Sequence, residues 1–178
     1  VSRSHEVYGR LLQPTMSSRM PEEQYDRLRK QVDALDPDDQ SVGAQTMRAQ
    51  VSSFKDFASA NELRHRIRWE WHEFFKRYDV LLTPTMPTPA FKHDHGKFSE
   101  RRILVDNEER SYFEGVFWAG LSGVAYLPST IVPTGLNAEG LPIGVQIIGP
   151  EYSDLVTIGI AVELERKGFR FEEPKAFA

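Results

Sequence analysis

The chain has 178 residues, the length of one ordinary domain, of which 40% are hydrophobic and 27% charged, so a globular fold with a real core is expected. Its net charge is -4, with both signs scattered, which gives no reason to expect nucleic acid or an anionic membrane as a partner. Cysteine is absent, so disulfides and thiolate zinc sites are excluded; no apolar run approaches a membrane span of roughly 20 residues and no stretch reads as a signal peptide, so a cytoplasmic location is the expectation.

In chain order, residues 1–78 read as helical and 79–178 as strands with a final helix. A short amphipathic helix is predicted over 5–12. A second follows Pro21, a residue suited to a first helical turn, with Tyr25, Leu28, Val32 and Leu35 at helical spacing. Asp36-Pro37-Asp38-Asp39 breaks it. The clearest helix runs over 54–78: Ala60, Leu63, Ile67, Trp71, Phe74 and Tyr78 recur at steps of three and four, and Glu62, Arg66, Glu70 and Glu73 form the opposite, solvated face. Ser53 suits its N-cap, with Asp56 three residues on in the manner of a capping box. Residues 80–83 form an apolar strand, expected to be covered on both faces, and Pro84, Pro87 and Pro89 force an extended loop after it. Residues 93–110 are polar and read as a surface excursion. Strands over 129–132 and 143–148 are joined by a long hairpin connection over 133–142 that contains Gly135, Asn137 and Gly140. Ser153 or Asp154 caps a last helix that buries Leu155, Ile158 and Val162 and stops at Gly168.

The chemical near-motifs are incomplete. Gly120-Leu121-Ser122-Gly123-Val124 misses a nucleophile elbow because Val124 stands where the tight turn needs glycine. Ser52-Ser53-Phe54-Lys55 has a Ser-x-x-Lys spacing without the Lys-Thr-Gly and Ser-x-Asn elements that accompany it in penicillin-recognising enzymes. His93-Asp94-His95 offers two imidazoles without an evident third ligand, so no metal is assigned. The Trp69, Trp71, Phe74 and Phe75 cluster reads as core, and no phosphate loop or dinucleotide fingerprint is present. No cofactor is expected.

Two stretches carry a resemblance. The first is Tyr78-Asp79-Val80-Leu81-Leu82-Thr83-Pro84-Thr85, followed by Pro87 and Ala90. The second is Leu127-Pro128-Ser129-Thr130-Ile131-Val132-Pro133-Thr134-Gly135, then Gly140-Leu141-Pro142-Ile143-Gly144-Val145-Gln146-Ile147-Ile148-Gly149-Pro150, then Asp154 and residues 161–165. In order and spacing they resemble the C-terminal region of the amidase-signature family. The resemblance covers residues 60–168 well and 1–59 loosely. Ser129 departs from the family's usual alanine, Tyr126 from a common small residue, and Ser122 or Gly123 stands near the place of an upstream asparagine.

The resemblance implies an α/β fold: helices plus a few strands of a large mixed sheet, forming one incomplete domain of a longer hydrolase. It implies hydrolysis of carboxylic amides by a Ser–Ser–Lys triad lying in a Gly-Gly-Ser-Ser region upstream of these residues. The Ser pairs here, Ser17-Ser18 and Ser52-Ser53, have no glycine neighbour, so no catalytic residue is carried onto this chain. The alternative is a non-catalytic, amidase-derived binding or assembly module. Expected partners are the amide substrate, the upstream catalytic half of the same protein and a further copy of the chain. The expected substrate-pocket residues are Thr83 and Pro84, where the first strand runs out into its loop, and Trp118 and Tyr126, large aromatics flanked by Gly115, Gly120 and Gly123. For the two aromatics, a plain core role stands beside the pocket role.

Overall fold

The computed structural model describes residues 2–173, which gather into two compact units, one up to Arg68 and one from Trp69 on. In the first unit, α1 (Ser2–Ser17), α2 (Glu22–Asp33) and α3 (Val42–Gln50) precede the start of α4 (Phe54–Phe75). α1 buries Ser4, Val7 and Leu11 at helical spacing. It runs past the expected end at residue 12 and through Pro14. Proline deletes one N–H from the ladder. Hydroxyls near it donate back to carbonyls, Thr15 to Leu11 at 2.8 Å and Ser18 to Thr15 at 2.7 Å, while Ser17 reaches across to the Gln50 carbonyl of α3 at 2.6 Å.

Sequence periodicity did not single out α3, a nine-residue helix set by its cap: the Ser41 hydroxyl accepts from the Ala44 N–H. Arg48 of α3 donates to the carbonyls of Asp39, at 2.6 Å, and Asp36, at 2.7 Å, and so holds the turn after α2. The capping box of α4 is present in both directions: Asp56 N–H donates to the Ser53 hydroxyl and Ser53 N–H to the Asp56 carboxylate, each at 3.2 Å. Hydrogen bonds from the Ser53 hydroxyl and then its N–H hold the Asp56 carboxyl below the ordinary value of 3.8.

In the second unit, β1 (Leu81–Pro84), β4 (Ser129–Leu136) and β5 (Pro142–Ile148) make an antiparallel sheet in the order β1-β5-β4. Pro84 and Pro133 are tolerated because both lie on edge strands, where a missing N–H breaks no interior ladder. Pairing continues past Pro133 through an irregularity before Gly135, so the connection is tighter than the ten residues expected. Asn137 closes it, its side-chain oxygen accepting from the N–H groups of Glu139 at 3.0 Å and Leu141 at 2.8 Å.

Between β1 and β4, the polar excursion contains structure its composition hides. β2 (Arg102–Val105) and β3 (Glu108–Ser111) form a hairpin whose turn residues, Asp106 and Asn107, both have positive φ. Ile103 is buried there, and Tyr112 stands edge-on to both Phe91 and Phe98, with the Arg101 guanidinium 5.7 Å from its ring centre. The unit is completed by α5 (Phe117–Val124) and α6 (Asp154–Arg166).

Four expectations are corrected here. α6 turns Thr157 inward, with Ile160, Ala161 and Leu164 half-buried on the same side, while Leu155 is 84% exposed and Ile158 and Val162 also face outward. The helix is apolar nearly all round, so composition did not reveal which stripe packs. Its N-cap Ser153 makes no cap bond; the hydroxyl donates to the Pro150 carbonyl at 2.5 Å instead. Leu82 is 53% exposed, because α6 lies over β4 and β5 on that face. Trp69 also points outward, leaving Trp71, Phe74, Phe75 and Tyr78 as the aromatic cluster, with Phe74 stacked on Tyr78 at 4.7 Å.

Candidate functional site

The register fixes which side chains share a face. Thr83 of β1 is directly opposite Gln146 of β5, so the two point to the same side of the sheet. Both are buried, 5% and 3% exposed. The Gln146 side-chain amide donates to the Thr83 hydroxyl at 3.3 Å and to the main-chain carbonyl of Trp118, in the first turn of α5, at 3.2 Å. The amide's orientation follows from chemistry: the Trp118 carbonyl only accepts, so the nitrogen must face it. Two of the predicted pocket residues, Thr83 and Trp118, thus meet through a third, Gln146, which sequence reasoning passed over as one letter of a motif. The available signal was a lone amide in the Val145-Gln146-Ile147-Ile148 run, where a buried polar side chain demands partners.

Pro84 follows Thr83, pairs in register with Val145 and is exposed. The loop continues along β5, with the Thr85 hydroxyl donating to the Gly144 carbonyl at 3.3 Å. It also reaches the 3-10 turn that leads into α5: a Cβ placed on buried Gly115 of that turn would meet Met86 Cε at 3.1 Å. The loop and the turn leading into α5 therefore lie near one another at the carboxyl end of β1.

Tyr126 stands apart from this group. It follows α5, whose eight residues span about 12 Å, so it lies at the far end from Trp118. Tyr126 is 52% exposed and has a φ of 59°. Its N–H donates to the Gly123 carbonyl and that of Leu127 to the Ser122 carbonyl, the paired bonds of a Schellman ending with Tyr126 in the left-handed position. This gives a backbone reason why a small residue suits the position.

The near-motifs resolve into ordinary structure. Ser122 is buried within α5, and its hydroxyl donates to the Ala119 carbonyl at 3.2 Å. Ser53 is the α4 cap. His93 and His95 are exposed, their ring centres 6.0 Å apart. Among the described residues no three His, Cys, Asp or Glu side chains are grouped to hold a metal ion, and no helix is long and apolar enough to cross a membrane.

Comparison with known proteins adds an independent line. The model of the family described as Amidase matches residues 18–157. A glutamyl-tRNA(Gln) amidotransferase component of Leptospira interrogans is 32% identical over 121 residues, 67% of this chain and 23% of that protein. Fatty acid amide hydrolase of Arabidopsis thaliana is 34% identical over 128 residues, 70% of this chain and 20% of that protein. The chain thus spans between a fifth and a quarter of the length of the curated relatives it matches. Among solved structures, an amidase superposes with a TM-score of 0.66 at 20% identity, covering 92% of this chain and 35% of the other. A bacterial aryl acylamidase of the amidase-signature enzymes superposes with a TM-score of 0.65 at 22% identity, covering 94% and 34%. These two likenesses carry the fold.

Proposed function

The chain belongs to the amidase family, and from that premise we propose that it is the part of an amide hydrolase that walls the substrate site while the reacting groups lie upstream. The observation that carries this reading is the meeting of Thr83, Gln146 and Trp118 at the carboxyl end of β1, inside the segment the family match covers. Such a wall binds and orients a carboxylic amide; bond cleavage needs an activated nucleophile.

The chemistry that the resemblance implies is a Ser–Ser–Lys relay. The second serine's oxygen bonds to the amide carbonyl carbon, and its proton passes through the bridging serine to a neutral lysine. The proton then goes to the departing amine as the C–N bond breaks, leaving an acyl-serine for water to hydrolyse. Backbone N–H groups of a Gly-rich loop hold the oxyanion. In this reading the partners are a small amide and the upstream half of the same protein, in the cytoplasm, with self-association through surfaces left open here.

The test is Trp118→Ala in the intact enzyme with amides of increasing acyl size, beside Tyr126→Ala at the far end of α5. Loss of a wall shared by ground and transition states should mainly raise KM and reorder the substrates. If Trp118→Ala loses stability, by the roughly 3–5 kcal/mol of a large aromatic cut to alanine, while the ranking stays unchanged, Trp118 is core and the wall assignment is wrong. Finding no Gly-Gly-Ser-Ser region in the reading frame ahead of Val1 would favour a binding or assembly module.

A further inference from the structure

Among the described residues, Gln146 is the buried side chain that hydrogen-bonds to both elements of the candidate wall. Its strand, β5, is the middle of the sheet, so its backbone is held on both sides by β1 and β4. From that fixed base a single amide nitrogen carries two hydrogens and has two acceptors, the Thr83 hydroxyl at 3.3 Å and the Trp118 carbonyl at 3.2 Å. One acceptor belongs to the strand that launches the 84–90 loop, the other to the first turn of α5. The Trp118 carbonyl has a second lone pair, so it takes this bond without surrendering its place in the helix.

No common substitute reproduces the bracket. Asparagine falls short by one carbon–carbon bond, about 1.5 Å, from a backbone that the sheet does not allow to move. Methionine and leucine fill the space and donate nothing. Glutamate, nearly isosteric, sets a carboxylate against a carbonyl oxygen in a site with little water. Thr83 does not by itself tie strand to helix: its hydroxyl accepts from the Gln146 amide, and it is Gln146 that goes on to the Trp118 carbonyl. A purely space-filling role would be served by an apolar residue, as at neighbouring Ile147 and Ile148, both fully buried.

We propose that Gln146 is a positioning residue that fixes the spacing between the loop after β1 and Trp118, and thereby sets which acyl groups the site accepts. This rests on the amide-hydrolase reading above. Gln146 touches no reacting atom in this account. It acts by holding two walls at one separation, so that losing it blurs selectivity.

The experiment has two arms. In the first, Trp69→Phe and Trp71→Phe leave Trp118 as the sole indole of this chain, which has three tryptophans. Fluorescence and acrylamide quenching are then followed for Gln146→Met and Gln146→Glu. The expected result is a red-shifted, more readily quenched Trp118 in both at neutral pH. In Gln146→Glu the wild-type signal returns as acid protonates the carboxyl and restores one donor, with the unsubstituted background unchanged over the same pH range. In the second arm, the intact enzyme carrying Gln146→Met is given small and large acyl amides. The ratio of kcat/KM between them should change on the order of tenfold.

A Trp118 signal that ignores both substitutions overturns the bracket. A shifted signal with an unchanged acyl ranking overturns the selectivity role and leaves the amide-hydrolase reading standing. An intact wild-type enzyme that cleaves no amide removes that reading, and the selectivity role with it. Should Gln146→Met fail to fold, Thr83→Val removes one arm of the bracket without changing side-chain size, and the same two outcomes decide.

Discussion

α5 and α6 pack on opposite faces of one sheet and end in the same paired hydrogen bonds, yet they meet very different surroundings. α5 contacts the sheet through Gln146, and α6 through Thr130, whose hydroxyl donates to the Thr157 hydroxyl at 2.9 Å. Gln146 and its neighbour Ile147, which pairs with Thr130, point to opposite sides. α5 buries Gly120, Leu121, Ser122 and Val124 and leaves only the narrow face of Ala119 and Gly123 exposed. α6 buries one stripe and leaves Leu155, Ile158 and Val162 bare. An apolar sequence states how much cover a helix seeks; the packing shows how much it has found.

The sharpest way to break the comparison is at the seat of α6. A Cβ on Gly149 would lie 2.7 Å from Thr157 Cγ2 and 2.8 Å from Ser153 Oγ. Gly149→Ala should therefore cost about 1–3 kcal/mol, read as a lower urea midpoint at unchanged slope. An unaltered midpoint would mean α6 is not held where it is described.

The two helix ends come next. Tyr126 and Gly168 occupy the same left-handed position after α5 and α6, at φ 59° and 101°. Tyr126→Gly should stabilise the chain by about 1 kcal/mol, and Gly168→Ala should weaken it by a similar amount, both by thermal melting. If Tyr126→Gly instead destabilises, the exposed ring contributes packing that outweighs its backbone strain. In the intact enzyme the same substitution separates a cap from a wall, since only a wall residue alters acyl preference.

The smallest effects concern exposed groups. Leu155→Gln should change the stability of this chain by less than about 0.5 kcal/mol. A much larger loss in the intact enzyme would show that the outer stripe of α6 is covered there. The bare stripe and the open sheet edges also predict concentration-dependent self-association; light scattering that reports a monomer at high concentration would argue against it. Asp56 gives a pH signature. Its carboxyl is held below 3.8 by Ser53, so the cap contributes fully above that pH, and its contribution fades as pH falls through the lowered value. Asp56→Asn should flatten the acid limb of the stability curve; an unchanged limb would exclude the cap as its source.

How much of this was legible in the sequence depended on whether the signal was local. β1, β4, β5 and the α4 capping box announced themselves, because an apolar run ended by proline, a glycine-bearing turn and a Ser-x-x-Asp spacing are each read within a few residues. The β2–β3 hairpin was equally local, in Asp106-Asn107, but its polar strands disguised it. α3 is short and held by a cap more than by an apolar stripe. The inward side of α6, the outward turn of Trp69 and the partners of Gln146 depend on which element lies alongside, and no spacing within one element encodes that. Thr83 and Trp118 were named separately; only strand register and a buried amide join them.

The central proposal is that this chain shapes an amide site and performs no chemistry in it. The direct measurement is hydrolysis of simple aryl and aliphatic amides by the purified 178-residue chain. The account predicts release of amine no faster than in buffer, since neither serine pair nor Ser122 carries the activated partner that acyl transfer needs. Turnover by the purified chain that Ser122→Ala or Ser52→Ala abolishes would contradict it.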